Sequence, residues 1–160
     1  MSARLTYFLG FLAATALLSA SIYFQIFDGF IPCPLCTLQR ITFGLLGILF
    51  LIGLLLTKSR PRLILNLFTS LVSLVGVFLA GRQIWLQHFP PSEGTACGVS
   101  IQYMMQILPL NEVIQRIFSG SAECSQRGWE FLSFNMAEWS LVWFVVFFAL
   151  MLYLLVKKPR

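Results

Sequence analysis

Four long stretches of this chain carry no charged side chain. They run from Leu5 to Phe27, Ile41 to Thr57, Leu63 to Gly81 and Trp139 to Val156. Each has about the 17–25 residues that a helix rising 1.5 Å per residue needs to cross roughly 30 Å of hydrocarbon. Their apolarity is continuous rather than striped, as lipid on every side requires. Helix is demanded as well, because hydrocarbon offers no water to backbone N–H and C=O groups. Composition agrees, with 58% apolar and 11% charged residues, against about 25% charged in an average soluble domain. The expectation is an all-α membrane protein: one integral domain, residues 1–160, folded as a four-transmembrane-helix bundle. A disordered chain and an ordinary cytosolic enzyme are excluded.

The first stretch has one competing reading. Arg4 followed by apolar sequence and Ser19-Ala20-Ser21 resembles a secretory signal. A signal core is only about 7–15 residues long, whereas this run continues through Ile22-Tyr23-Phe24. A retained span is the expectation.

Charge sets the orientation. In a four-span arrangement Arg4, Lys58, Arg60, Arg62, Lys157, Lys158 and Arg160 fall on one side. Arg40, Arg82, Arg116 and Arg127 fall on the other, with all six acids, so the net +5 divides into +7 and −2. The positive-inside rule places the first side, with both termini, in the cytoplasm. The basic excess reports topology and contact with anionic lipid heads, and no nucleic-acid role is read from it.

Two outward segments remain, 28–40 and 82–138. They hold all four cysteines: Cys33 and Cys36 in the short one, Cys97 and Cys124 in the long one. Outside the membrane is the oxidising compartment, where disulfides form and persist. Cys33-Pro34-Leu35-Cys36 is a C-x-x-C pair, a spacing that closes a small disulfide ring and commonly lowers a thiol pKa. If a helix starts near Cys36, its unpaired N–H groups and dipole favour a thiolate there. Arg40, one helical turn on, adds a fixed positive charge. A zinc clip is the alternative, but Cys97 and Cys124 stand far apart and His88 has no partner at zinc spacing. A passive structural disulfide stays open, since C-x-x-C alone is a weak signal.

Between Cys97 and Cys124, the segment Asn111 to Phe118 carries apolar residues at helical spacing, opposite Glu112 and Arg116. It reads as a short amphipathic helix in the membrane interface. It either holds the loop flat or keeps the second cysteine pair close to the first. Gly94, Gly98 and Gly120 beside these cysteines supply the flexibility that closeness needs.

Taken together, Phe24-Gln25, Pro32-Cys33-Pro34-Leu35-Cys36, Gln39-Arg40, Leu86-Gln87, Pro90, Cys97, Cys124 and Trp129 resemble the bacterial disulfide bond formation protein B (DsbB) family over nearly the whole chain. The resemblance implies a disulfide-generating thiol:quinone oxidoreductase of the bacterial inner membrane, multi-pass, with both redox loops periplasmic. Its partner would be a periplasmic thioredoxin-like dithiol oxidase, DsbA, and its acceptor a quinone of the membrane pool, ubiquinone or menaquinone. By similarity, Cys97 takes the mixed disulfide with the partner, Cys124 resolves it, and Cys33 and Cys36 pass the electrons on, with Cys36 facing quinone. Arg40 matches the family's quinone-site arginine.

One position departs from the pattern. Many members carry His three residues before the Leu-Gln pair, where this chain has Gln83, which donates a hydrogen bond but does not titrate. Elsewhere blander roles are expected. Arg82 caps a span at the interface, Trp85, Trp129 and Trp139 anchor span ends, His88 is an exposed loop residue, and Pro34 tunes the disulfide ring through its fixed φ. Two alternatives remain. A vitamin K epoxide reductase-like enzyme would place its separated loop cysteines before the C-x-x-C, the reverse of the order here. A membrane scaffold with two inert disulfides would need neither Arg40 nor glycines around the second pair.

Overall fold

The computed structural model describes residues 3–27, 33–56, 59–89, 106–109, 111–113, 115, 130–131 and 134–156. Four helices organise it: α1 (Ala3–Phe27), α2 (Pro34–Leu55), α3 (Ser59–His88) and α4 (Met136–Val156). Among the described residues these four are long and apolar enough to cross a membrane. Each begins before its charge-free stretch, α3 runs on past the end of its own, and α2 stops at Leu55. The largest differences are at α2, which begins at Pro34, and α3, which continues to His88. A charged residue marks where lipid gives way to the interface, but the i to i−4 backbone ladder does not stop there. Arg40 and Arg82 to His88 are therefore helical residues, and His88 is not in a loop: its Nδ1 lies 2.9 Å from the carbonyl of Ile84. Ser19-Ala20-Ser21 lies within the unbroken α1.

One helix, α3, is inside-out relative to a helix of a water-soluble bundle. α3 turns Asn66, Thr69, Ser70, Ser73 and Gln83 inward and exposes Ile64, Phe68, Leu71, Val75 and Phe78. In water this face would be disfavoured. In lipid, small and polar residues belong between helices and large apolar ones outside. Two of the buried hydroxyls bond back along their own helix, Thr69 Oγ1 to Leu65 O at 2.8 Å and Ser73 Oγ to Thr69 O at 2.9 Å, so neither presents an unsatisfied donor to hydrocarbon.

Packing follows chain order: α1 lies on α2, α2 on α3, and α3 most extensively on α4. The core is aromatic. Phe43 stacks on Phe144 with ring centroids 4.2 Å apart, and Phe147 meets both Phe43 and Phe50 edge-on. Gly76 of α3 makes room for Phe144. Likewise Gly53 of α2 leaves a notch for the ring of Tyr7, whose hydroxyl donates to Asn66 Oδ1 at 2.5 Å. This buried bond ties α1 to α3 across α2. At the same end, an Arg62 Nη donates to the carbonyl of Leu56 at 2.5 Å, closing the turn between α2 and α3.

At the opposite end an antiparallel ladder, β1 (Glu130–Phe131) with β2 (Phe134–Asn135), leads into α4. Asn135 caps α4 reciprocally: its Oδ1 accepts from the Glu138 amide at 2.9 Å, and Glu138 Oε2 accepts from the Asn135 amide at 2.8 Å. This is a capping box. Asn135 Nδ2 also donates to Gln87 Oε1 at 2.7 Å, fastening the end of α3 to the start of α4.

Candidate functional site

The C-x-x-C pair forms the entry to α2. Cys33 is the N-cap and Pro34 the first helical residue, where a missing N–H removes no hydrogen bond and a fixed φ is already helical. The Cys33 sulfur takes the role usually filled by a Ser or Asp oxygen, accepting from the Cys36 amide at 3.3 Å, while the Cys33 carbonyl accepts from the Thr37 amide at 3.0 Å. The cap and the helical turn bring the sulfurs together, with Cys33 Sγ donating to Cys36 Sγ at 2.8 Å. The pair lies within one helical turn rather than in a loop. A disulfide holds its sulfurs about 2.05 Å apart, less than about 1 Å closer than they stand here.

The two sulfurs have different surroundings. Cys33 is buried in an apolar cluster with Leu35, Leu79, Leu86 and Val113, against which Cys36, Leu38 and Leu108 pack. Val113 comes from the segment expected to be an amphipathic helix. Residues 111–113 and 115 are helical, and the Glu112 and Val113 amides donate to the Pro109 carbonyl at 3.0 and 3.2 Å. Val113 thus contributes to the cover over the first cysteine pair. Cys36 is half-buried and accepts a second hydrogen bond, from Gln83 Nε2 at 3.0 Å. Gln83 in turn accepts from Gln39 Nε2 at 2.6 Å. A chain of donors therefore runs from Gln39 through Gln83 to the Cys36 sulfur. The sequence flagged Gln83 by its departure from a pattern and Gln39 as part of the Gln39-Arg40 match, but the contact between them was not foreseen.

Arg40, one turn beyond Cys36, is held by α1. Its Nε donates to Ser21 Oγ at 2.6 Å and one Nη to the Ser21 carbonyl at 2.9 Å. The other Nη donates to Gln25 Oε1. These three bonds leave two of the guanidinium's five N–H groups for a ligand. Gln25 belongs to the Phe24-Gln25 pair of the resemblance, whereas Ser21 looked like a small cleavage-site residue and its anchoring role was not foreseen.

The remaining sequence candidates are distributed as follows. Arg82 is half-buried on α3, and Trp85 is exposed near its end, stacked at a tilt on Phe89 with centroids 4.8 Å apart. Trp139 meets Phe134 edge-on at the start of α4. Cys97, Cys124 and Trp129 lie outside the described residues.

Fold and site together define a class: a multi-pass membrane protein whose outermost helical turn presents a vicinal dithiol, with polar groups from two neighbouring helices arranged around it. Similarity to known proteins narrows the class to one family. Residues 3–154 match the family described as Disulfide bond formation protein DsbB, and the chain belongs to that family. It is 37% identical over 158 residues to Disulfide bond formation protein B of Hahella chejuensis, covering 98% of this chain and 96% of the relative. Disulfide bond formation protein B 1 of Pseudomonas aeruginosa is 39% identical over 147 residues, 91% of this chain and 90% of its own length. The Xylella fastidiosa (strain Temecula1) protein of the same name is 38% identical over 138 residues, 85% and 80%. The chain is a membrane protein of disulfide bond formation, an oxidoreductase by family.

Proposed function

We propose that this protein re-oxidises a soluble periplasmic dithiol oxidase of the DsbA type and passes the electrons to a quinone of the membrane pool, ubiquinone or menaquinone. In this reading it lies in the bacterial inner membrane with both termini cytoplasmic and the four cysteines on the periplasmic side. Cys97 is the thiol that forms the mixed disulfide with the partner, and Cys124 resolves it. Cys33 and Cys36 receive the electrons by thiol–disulfide exchange, each exchange breaking one S–S bond as it forms another.

The observation that carries the reading is the asymmetry of the first pair. Cys36 accepts from both the Cys33 thiol and Gln83, and Arg40 is fixed one turn away with two N–H groups left over. Charge on sulfur is therefore best stabilised at Cys36.

The residues present fit a quinone. Arg40 supplies donors for a ring oxygen, oriented by Ser21 and Gln25 before any ligand arrives. Ile22, Ile26 and Ile41, next to these three residues in sequence, are exposed and give an isoprenoid tail an apolar flank. A bound quinone supplies a sink for the two electrons and two protons released when the Cys33–Cys36 dithiol closes to a disulfide. The protein's own contribution is to hold the sulfurs in contact, to keep negative charge on Cys36, and to fix the guanidinium beside it.

The test is purified protein with reduced DsbA and a soluble quinone, followed by quinone absorbance. Quinone consumption that disappears in Cys36→Ser is expected; full turnover in that variant refutes the exit role of Cys36. Cys97→Ala should abolish the trapped mixed disulfide with DsbA, and a persisting adduct moves the point of attack elsewhere.

A further inference from the structure

We infer that Gln83 is a positioning residue that sets the reduction potential of the Cys33–Cys36 pair, and that Gln39 fixes which way the Gln83 amide faces. The inference rests on the reading of these cysteines as a redox pair and assigns roles to two side chains that the reading leaves without one.

A primary amide has a donor end and an acceptor end. With Nε2 toward Cys36 it stabilises charge on sulfur; turned over, it would set its oxygen against the sulfur lone pairs. Gln39 decides between the two. It lies three residues after Cys36 on α2, hence on the same helix face, and donates to Gln83 Oε1 at 2.6 Å. That bond holds the oxygen toward Gln39 and leaves Nε2 to donate to Cys36 Sγ at 3.0 Å. Gln39 and Gln83 are each only 4% exposed. Turning either amide would break hydrogen bonds where water cannot replace them, which disfavours the alternative.

The effect on the couple follows from which state holds the charge. The reduced pair can carry a thiolate at Cys36, and the disulfide carries none. A fixed donor at that sulfur therefore favours the reduced form and makes the pair a stronger oxidant. In exchange with glutathione, the dithiol and glutathione disulfide give the Cys33–Cys36 disulfide and two glutathione thiols. One S–S bond breaks, one forms, and the two protons pass to glutathione.

The experiment equilibrates the full-length protein in detergent with glutathione buffers, traps thiols by alkylation and reads the Cys33–Cys36 peptide by mass. Gln83→Met removes the donor at similar volume. It should shift the equilibrium toward the disulfide by about tenfold or more, the effect of one hydrogen bond to a charged group, which is about 30 mV for a two-electron couple. Gln39→Met should shift it the same way by less, because the amide of Gln83 is then free to turn. The double variant should exceed Gln83→Met by nothing, since both changes act through one contact. Gln83→His, which restores an N–H donor, should return the constant toward the parent value. A structural role alone would lower thermal stability in each variant without this pattern. Should Gln83→Met fail to fold, Gln39→Met and Gln83→His carry the test. An unchanged constant in Gln83→Met, or in Gln39→Met if that is the variant that folds, overturns the inference, as do Gln39 and Gln83 effects that simply add. Neither quinone nor DsbA enters this measurement. A parent protein that leaves quinone unreduced would therefore count against the proposed function and not against this result.

Discussion

The substitution Gly76→Ala tests whether close helix packing sets both stability and redox chemistry. A β-carbon at Gly76 would lie 2.4, 2.5 and 2.6 Å from Cδ1, Cε1 and Cγ of Phe144, roughly 1 Å inside ordinary carbon contact. The ring cannot easily step aside. Phe144 is fully buried, and its ring stacks on Phe43 at 4.2 Å with planes 13° apart. Overpacking of this kind costs about 1–3 kcal/mol, and three crowded ring atoms place the expectation at the upper end. For a chain of this size that lowers the thermal midpoint by about 5–10 °C. The assay is a thermal scan in detergent at one fixed rate, because unfolding that is irreversible makes the midpoint rate-dependent. Combining Gly76→Ala with Phe144→Leu, which shortens the ring's reach, should cost less than the sum of the two single changes. A second readout follows from geometry: Gln83 is seven residues from Gly76, two turns along the same face of α3. Pushing α3 off α4 should carry Gln83 away from Cys36 and shift glutathione exchange as Gln83→Met does. A midpoint within about 2 °C of the parent, under the roughly 1 kcal/mol that shift represents, or strictly additive costs, would refute the reasoning.

Other substitutions separate the remaining parts of the site. Arg40→Met should raise the apparent quinone KM by about tenfold or more through loss of a charged donor, and Ser21→Ala should raise it less because two of the three anchors remain; an unchanged KM in both removes Arg40 from quinone binding. Val113→Ala thins the apolar cover and should speed alkylation of Cys33 severalfold in the reduced protein, measured by mass against time; an unaltered rate shows that the cover does not limit access. Asn135→Ala removes the α4 cap, worth about 1 kcal/mol, and leaves Gln87 without its donor, so its thermal midpoint should fall further than that of Glu138→Gln. The reverse order would show that the link to α3 contributes little.

The number of spanning helices was legible because lipid tolerates so few charges, and four uncharged stretches admit few alternatives. Their ends were not, because the backbone ladder runs on through the interface. Cys33-Pro34 did carry a boundary signal, a capping side chain followed by proline at the first helical position, yet the charge pattern drew attention to Arg40 instead. The dithiol and its arginine were legible from local spacing. Contacts between distant segments were not: Gln83 meets Cys36 across 47 residues, and Ser21 meets Arg40 across 19. No periodicity records such meetings. The two-residue strands before α4 are too short to leave an alternating pattern.

The order in which the helices pack has a consequence for assembly in the membrane. Each helix leans chiefly on its neighbour in the chain, so the protein resembles two helical hairpins, α1–α2 and α3–α4, joined along a seam. The dithiol and Arg40 belong to the first hairpin and Gln83 to the second. Before docking, the first hairpin has its sulfurs but lacks the amide that reaches Cys36. The completed electronic environment of the thiols is thus a product of quaternary-like association within a single polypeptide, and newly inserted chains acquire it only on reaching their final arrangement.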